Sequence, residues 1–298
     1  MVNNLRNINE IIKSSPALRN KDSFNESQLT ELCKSESIDL KKFKPQMAGD
    51  LKKKKLRQRE EYLGYLIQSQ TIVNFNAPSG ICKTWLAMCA CTAIATGGEC
   101  FDWKAQKPRK VVYLDAEMPE VDTQSRVHCF SNGLSGEALR LFDQNFQIMN
   151  IDGAGQELPD LTSELGQRIV EHYCKTADVL VIDNFISVFP ETDDKDTLRM
   201  KQFTSWMRKL RAAGITIITI NHTTKDLKRL GSVVLDTYND VTVDIREPEV
   251  RKGQPKKDYL HLIFDKGRHL TPEQKQTICF KFTIGDSGVK FWRIQPEQ

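Results

Sequence analysis

The chain has 298 residues, 39% of them apolar and 28% charged, with a net charge of +4. This length carries one large α/β core and a small accessory piece, and the absence of any apolar run near 18–20 residues argues against a helical membrane span. The opening MVNNLRNINEII lacks the apolar core of a secretory leader, and the eight cysteines contain no CxxC pair, so we expect a cytoplasmic protein with reduced thiols and no zinc site.

Residues 1–60 read as a helical segment ending in a basic linker. The run Lys41–Arg59 contains one acidic residue and fits either a solvated linker helix or an arm that touches nucleic acid or a neighbouring subunit. From residue 61 the pattern alternates between apolar strands and helices. TIVNF is a strand, and WLAMCACTAIA is a buried helix stopping at Gly97-Gly98. KVVYLD, FQIMN and ADVLVID are further strands, separated by a helix through Phe130 and an amphipathic stretch over 161–174. A long helix over 195–213 precedes ITIITINH, whose unbroken apolar character requires burial on both faces. This alternation predicts an α/β fold with a doubly wound, mainly parallel sheet over residues 61–298. Past residue 240 the strands VTVDI, YLHLIF, CFKFTI and VKFWRI follow with little helix between them, and read as an antiparallel extension.

The strand–turn–helix at 71–84, TIVNFNAPSGICKT, has the order of a phosphate-binding loop. In such a loop successive backbone amides and a helix N-terminus converge on one concavity. Residues Ala77, Pro78, Ser79, Gly80, Ile81, Cys82, Lys83, Thr84 and Trp85 would then surround the phosphates. Lys83 would face the β- and γ-phosphates and Thr84 would offer its hydroxyl to Mg²⁺. Against GxxxxGK[ST], Ala77 and Cys82 replace both glycines. A Cβ at Cys82 either crowds the phosphates or, if the position is left-handed, costs roughly 1–2 kcal/mol, so weakened nucleotide affinity is expected.

Ligands on open α/β sheets bind beyond the C-terminal ends of the strands. Three more polar residues fall there: Glu117 in YLDAEMP, Asp183 closing VLVID, and His222 in ITINH. Any one alone also reads as a helix cap or a structural histidine. Together with the loop they supply a phosphate cradle, a base, a metal partner and a γ-phosphate sensor.

On these motifs the chain resembles the RecA-like ATPase core of hexameric replicative helicases, most closely the plasmid RepA type with the DnaB type next, over roughly residues 61–298. The resemblance implies ATP and Mg²⁺ as cofactors, with Lys83 and Thr84 as the Walker A pair and Asp183 as the Walker B aspartate. It makes Glu117 the activator of the attacking water and His222 the sensor. Lys266 and Arg268 in DKGRH are similar to an element reaching into the neighbour's site, with a charged strand end as the plainer alternative. It further implies a homo-oligomer, a hexameric ring acting on single-stranded DNA in plasmid or mobile-element replication. Lys225, Lys228 and Arg229 would contact the DNA phosphates. The damaged loop keeps a second class of reading open, a non-hydrolysing RecA-like module that binds nucleotide or DNA. A KaiC-like regulatory ATPase shares the core and differs only in its partner.

Overall fold

The computed structural model describes residues 26–35, 38–56, 58–188, 197–223, 233–250 and 257–295. These fall into two compact units, Met1–Gln58 and Arg59–Gln298. In the first, helices α1 (Glu26–Ser35) and α2 (Ala48–Lys53) flank a short turn of 3-10 helix that Asp39 caps by accepting from the Lys41 amide. Helix α2 buries none of its side chains, and Phe43, Met47, Leu51 and Leu56 are exposed. Among the described residues no helix is long and apolar enough to cross a membrane.

The second unit is built on one nine-stranded sheet. Its strands are β1 (Ile72–Ala77), β2 (Val111–Asp115), β3 (Phe146–Asn150), β4 (Val179–Asp183), β5 (Thr216–His222), β6 (Val241–Arg246), β7 (Leu260–Gly267), β8 (Ile278–Gly285) and β9 (Gly288–Ile294), in the order β9-β8-β7-β6-β1-β5-β4-β2-β3. Strands β1 to β6 are parallel, and β7 to β9 extend the sheet antiparallel. VTVDI therefore departs from the expected antiparallel texture: it pairs parallel with β1 over Val73–Asn76, and the extension begins one strand later.

Because side chains alternate along a strand, the central strands feed two separate apolar layers. Val73, Phe75, Tyr113, Val181 and Ile218 pack beneath helix α3 (Lys83–Thr96), with Phe130 of α4 (Glu120–Ser131) and Phe142 of α5 (Gly136–Asn145). Ile72, Leu114, Ile182 and Ile217 face the other way, against Val170 of α6 (Glu164–Tyr173) and Phe203, Trp206 and Met207 of α7 (Thr197–Ala212). Helix α3 is buried over most of its length and ends where Gly97 turns left-handed at φ 75°. The β5 strand is buried on both faces as expected, but its second face becomes polar towards the top. There Thr219 and Asn221 donate to Asn74 Oδ1, and Asn76 donates to Asp244, tying β5, β1 and β6 together just below the phosphate loop.

Candidate active site

Register brings the candidate residues together. Ala77 sits opposite His222, and Asp115 opposite Asp183, with Asp183 beside Ile220 of β5. The C-terminal ends of β1, β5, β4 and β2 therefore lie side by side, and the four chemical groups expected there share one rim. Ser79 to Trp85, Glu117, Met118, Arg126 and His222 line a cavity of ≈ 160 Å³ on it.

In the loop, Gly80 has φ 79°, and a Cβ built there would meet nothing within 4 Å. It is thus the left-handed residue of the turn. Cys82 is not. Its φ is −40°, on the right-handed side, so the expected left-handed penalty does not exist. The Cys82 side chain instead joins the apolar layer under α3, and burial pushes its thiol up to about 12 against the nearby Lys83 charge. Cys82 thus lines the cavity and is buried at the same time, as part of the apolar layer beneath it. The first turn of α3 offers the positive potential that suits an anion, with the Lys83 amide turned to the Ile81 carbonyl.

Lys83 is only 4% exposed. Its Nζ donates to the carbonyls of Ala77 (3.0 Å) and Pro78 (2.9 Å) and to His222 Nδ1 (3.1 Å). An ammonium has only donors, so Nδ1 must present its lone pair and Nε2 must carry the proton. That Nε2–H donates to Glu117 Oε2 at 3.3 Å, and Asn184 Nδ2 donates to the same oxygen at 2.7 Å. Held first by His222, then by Asn184, and attracted by Lys83, the Glu117 carboxyl falls to about 2. Burial lowers Lys83, while Glu117 and Asp183 oppose that shift.

Asp183 is 2% exposed, and burial raises it to about 6, against the Tyr113 hydroxyl (2.6 Å) and the nearby Thr84 hydroxyl. Its Oδ1 is buried without a hydrogen-bond partner. An orphaned carboxylate oxygen beside a Thr hydroxyl is an oxygen donor set of the kind a hard divalent cation takes. Thr84 and Asp183 therefore fit Mg²⁺.

Three residues of the site were not expected from sequence. Arg126, in the middle of α4, lines the cavity with its NH1 buried and unpartnered, its guanidinium 5.0 Å from the Trp85 ring. No motif marks it, since its position depends on how α4 is rotated. Asn184 follows Asp183 directly, and its Oδ1 accepts from the backbone amide and hydroxyl of Ser187, which turns the amide nitrogen towards Glu117. Asp115 accepts from the amides of Glu117 and Met118, shaping the turn that presents Glu117. The strand-end position of both was a signal open to the sequence.

Other expected residues lie elsewhere. Gly267 of β7 pairs with Val241 at the start of β6, so Lys266 and Arg268 sit at the N-terminal ends of the parallel strands, opposite the phosphate loop. There both donate to backbone carbonyls at the end of helix α8 (Val233–Tyr238): Lys266 to Asp236 and Thr237, Arg268 to Thr237 at 2.5 Å. They do not join the cavity of their own chain. Lys225, Lys228 and Arg229 lie outside the described residues.

Comparison with solved structures finds a KaiC-like protein of the hyperthermophilic archaeon Pyrococcus horikoshii OT3, at 14% identity and a TM-score of 0.52, covering 76% of this chain and 90% of the archaeal one. No curated protein matches the chain. The model of the AAA domain matches residues 38–228, a span that contains the phosphate loop, Glu117, Asp183 and His222. With that match and the RecA-like order of its sheet, the chain belongs to the AAA domain family and has the fold of the P-loop nucleotide-binding ATPases.

Proposed function

We propose that the protein is a Mg²⁺-dependent ATPase of the replicative-helicase type, working on single-stranded DNA as a homo-oligomeric ring. The observation that carries the ATPase reading is the convergence on one rim of Lys83, the Thr84–Asp183 pair and Glu117, the last linked to Lys83 through His222. In this reading Lys83 and the first-turn amides hold the phosphates, and Glu117 takes the proton of the attacking water. Thr84 and Asp183 would hold Mg²⁺, which when bound would supply neutralising charge for the phosphate oxygens. Lys266 and Arg268 are remote from their own cavity, so any part they take in hydrolysis is in a neighbouring subunit. The resemblance of DKGRH to a trans-acting element supports that role and a ring. The plasmid or mobile-element setting and the DNA contacts at Lys225, Lys228 and Arg229 rest on the same resemblance.

A specific observation favours the second reading, a non-hydrolysing nucleotide-binding module. A carboxylate held at about 2 is a poor base at neutral pH, and Glu117 is held there first by His222 and then by Asn184. Turnover requires those hydrogen bonds to loosen. The test is ATP hydrolysis by the purified protein, with and without single-stranded DNA, beside Lys83→Ala and Glu117→Gln. The ATPase reading expects turnover that Glu117→Gln abolishes while ATP still binds, and that DNA stimulates. Binding without turnover in either condition selects the second reading.

A further inference from the structure

Two aspartates end neighbouring strands, Asp115 on β2 and Asp183 on β4, and stand opposite each other in register. Both are buried, but their oxygens are engaged differently. Asp115 Oδ1 accepts from the Glu117 and Met118 amides, and its Oδ2 accepts from the Thr123 hydroxyl. Asp183 Oδ2 accepts from the Tyr113 hydroxyl at 2.6 Å, while Oδ1 has no hydrogen-bond partner and faces no such competition. Tyr113 is 1% exposed, and packing sets its position. Its register partner Val181 lies two residues before Asp183, so the phenol reaches along one face of the sheet. The ring meets Phe146 edge-on, with centroids 5.9 Å apart, and Phe142 holds Phe146 in turn at 5.2 Å. The hydroxyl is thus aimed by β2 and β3, not by the phosphate loop.

We propose that Tyr113 is a positioning residue for the cation site, holding Oδ2 of Asp183 so that a cation meets Oδ1 alone. The inference rests on the ATPase reading, through the fit of Thr84 and Asp183 to Mg²⁺, and adds to it a residue that selects among cations. A carboxylate is otherwise free to turn about its broad terminal torsion and offer either oxygen or both. With the phenol on Oδ2, that choice is made before an ion arrives. Mg²⁺ is small, keeps several waters and takes few protein ligands, so one carboxylate oxygen and a hydroxyl suit it. Ca²⁺ takes more oxygens, often both of one carboxylate, and would have to displace the phenol. Displacement would leave a buried hydroxyl without its acceptor, which is costly. Asp115 cannot supply the missing oxygen, because both of its own are engaged.

Calorimetric titration of the full chain with ATP in Mg²⁺, in Ca²⁺ and in EDTA tests the proposal without measuring turnover. The native protein should bind ATP more tightly with Mg²⁺ than with Ca²⁺. Tyr113→Phe removes the hydroxyl and keeps the ring. We expect it to weaken binding in Mg²⁺ roughly tenfold, as loss of an outer-shell partner does, and to leave binding in Ca²⁺ and in EDTA within about twofold. Retained binding in EDTA shows that the cradle is intact. Phe146→Leu loosens the support of the ring but leaves the hydroxyl tethered to Oδ2, so the Mg²⁺-to-Ca²⁺ ratio should stay near the native one. A purely structural role for Tyr113 predicts instead that both variants lower affinity alike in all three conditions. That result, or a native protein that takes Ca²⁺ as well as Mg²⁺, overturns the proposal. If the native protein binds ATP in none of the three, the phosphate-loop reading itself fails and the proposal falls with it, a result distinct from the others.

Discussion

The parallel strands carry buried charge at both ends of the sheet, and the two ends treat it differently. At the N-terminal end Asp240 is 3% exposed, and its Oδ2 accepts from the Ile72 amide and from Arg211, each at 3.0 Å. Arg109, 7% exposed, lies over the Tyr62 ring at 3.9 Å, bonds to Glu60 and stands 3.7 Å from Asp178. Both of these buried charges have partners of opposite sign. At the C-terminal end the accounts stay open: Asp183 Oδ1 and Arg126 NH1 are the only carboxylate or guanidinium atoms, among the described residues, that are buried without a hydrogen bond. A desolvated charge without a partner is costly. Paired charge fixes a strand end, whereas a carboxylate oxygen and a guanidinium nitrogen left without hydrogen bonds on one rim mark where a ligand completes the pairing.

The comparison breaks most directly at Asp240. Asp240→Ala leaves Arg211 and the Ile72 amide without their acceptor, and should cost about 3–5 kcal/mol in urea unfolding. The folded fraction should bind ATP as the native protein does. A loss below about 1 kcal/mol would mean that the lower end is no better compensated than the upper.

At the upper end the sign reverses. Burial raises Asp183 from 3.8 to about 6, so its folded-state contribution is fully present below pH 3.8 and is lost as pH rises through about 6. By pH 8 the ionised carboxylate costs roughly 3 kcal/mol. Asp183→Asn keeps an acceptor for Tyr113 and removes the charge. It should therefore stabilise the protein by up to about 3 kcal/mol at pH 8 and by nothing at pH 3, while abolishing Mg²⁺-dependent nucleotide binding. A destabilised variant at pH 8 would show that the carboxylate is already compensated.

Arg126→Ala should lower stability by no more than about 1 kcal/mol, because its NH1 has no hydrogen-bond partner and only the contact with the Trp85 ring is lost. We expect it to weaken ATP about tenfold, the scale of one charge-assisted hydrogen bond. Unchanged affinity would remove Arg126 from the site. The smallest effect belongs to Cys82. With its φ at −40° and its thiol buried, Cys82→Gly should change ATP affinity by less than about twofold. The native thiol, pushed up to about 12, should react slowly with thiol reagents at pH 8 whether or not ATP is present. Rapid labelling blocked by ATP would place the sulfur in the concavity after all.

What the sequence determined is what local chemistry determines. Short runs rich in β-branched residues ended at Ala77, Asp115, Asp183 and His222, and a parallel sheet places such ends on one rim whatever the order of its strands. The turn at Gly80, the stop at Gly97 and the two-sided burial of β5 were legible for the same reason. Tertiary structure decided the rest. Whether Cys82 crowds the phosphates depends on space beneath α3, which strands remote in sequence provide. Arg126 reaches the cavity only because α4 packs with that face inward, and the direction of β6 was fixed by its neighbour β1. Tyr113 reaches Asp183 because β2 lies beside β4. A residue's type and its distance from a turn are local properties, but the face it presents and the group it meets are set by packing between segments remote in sequence.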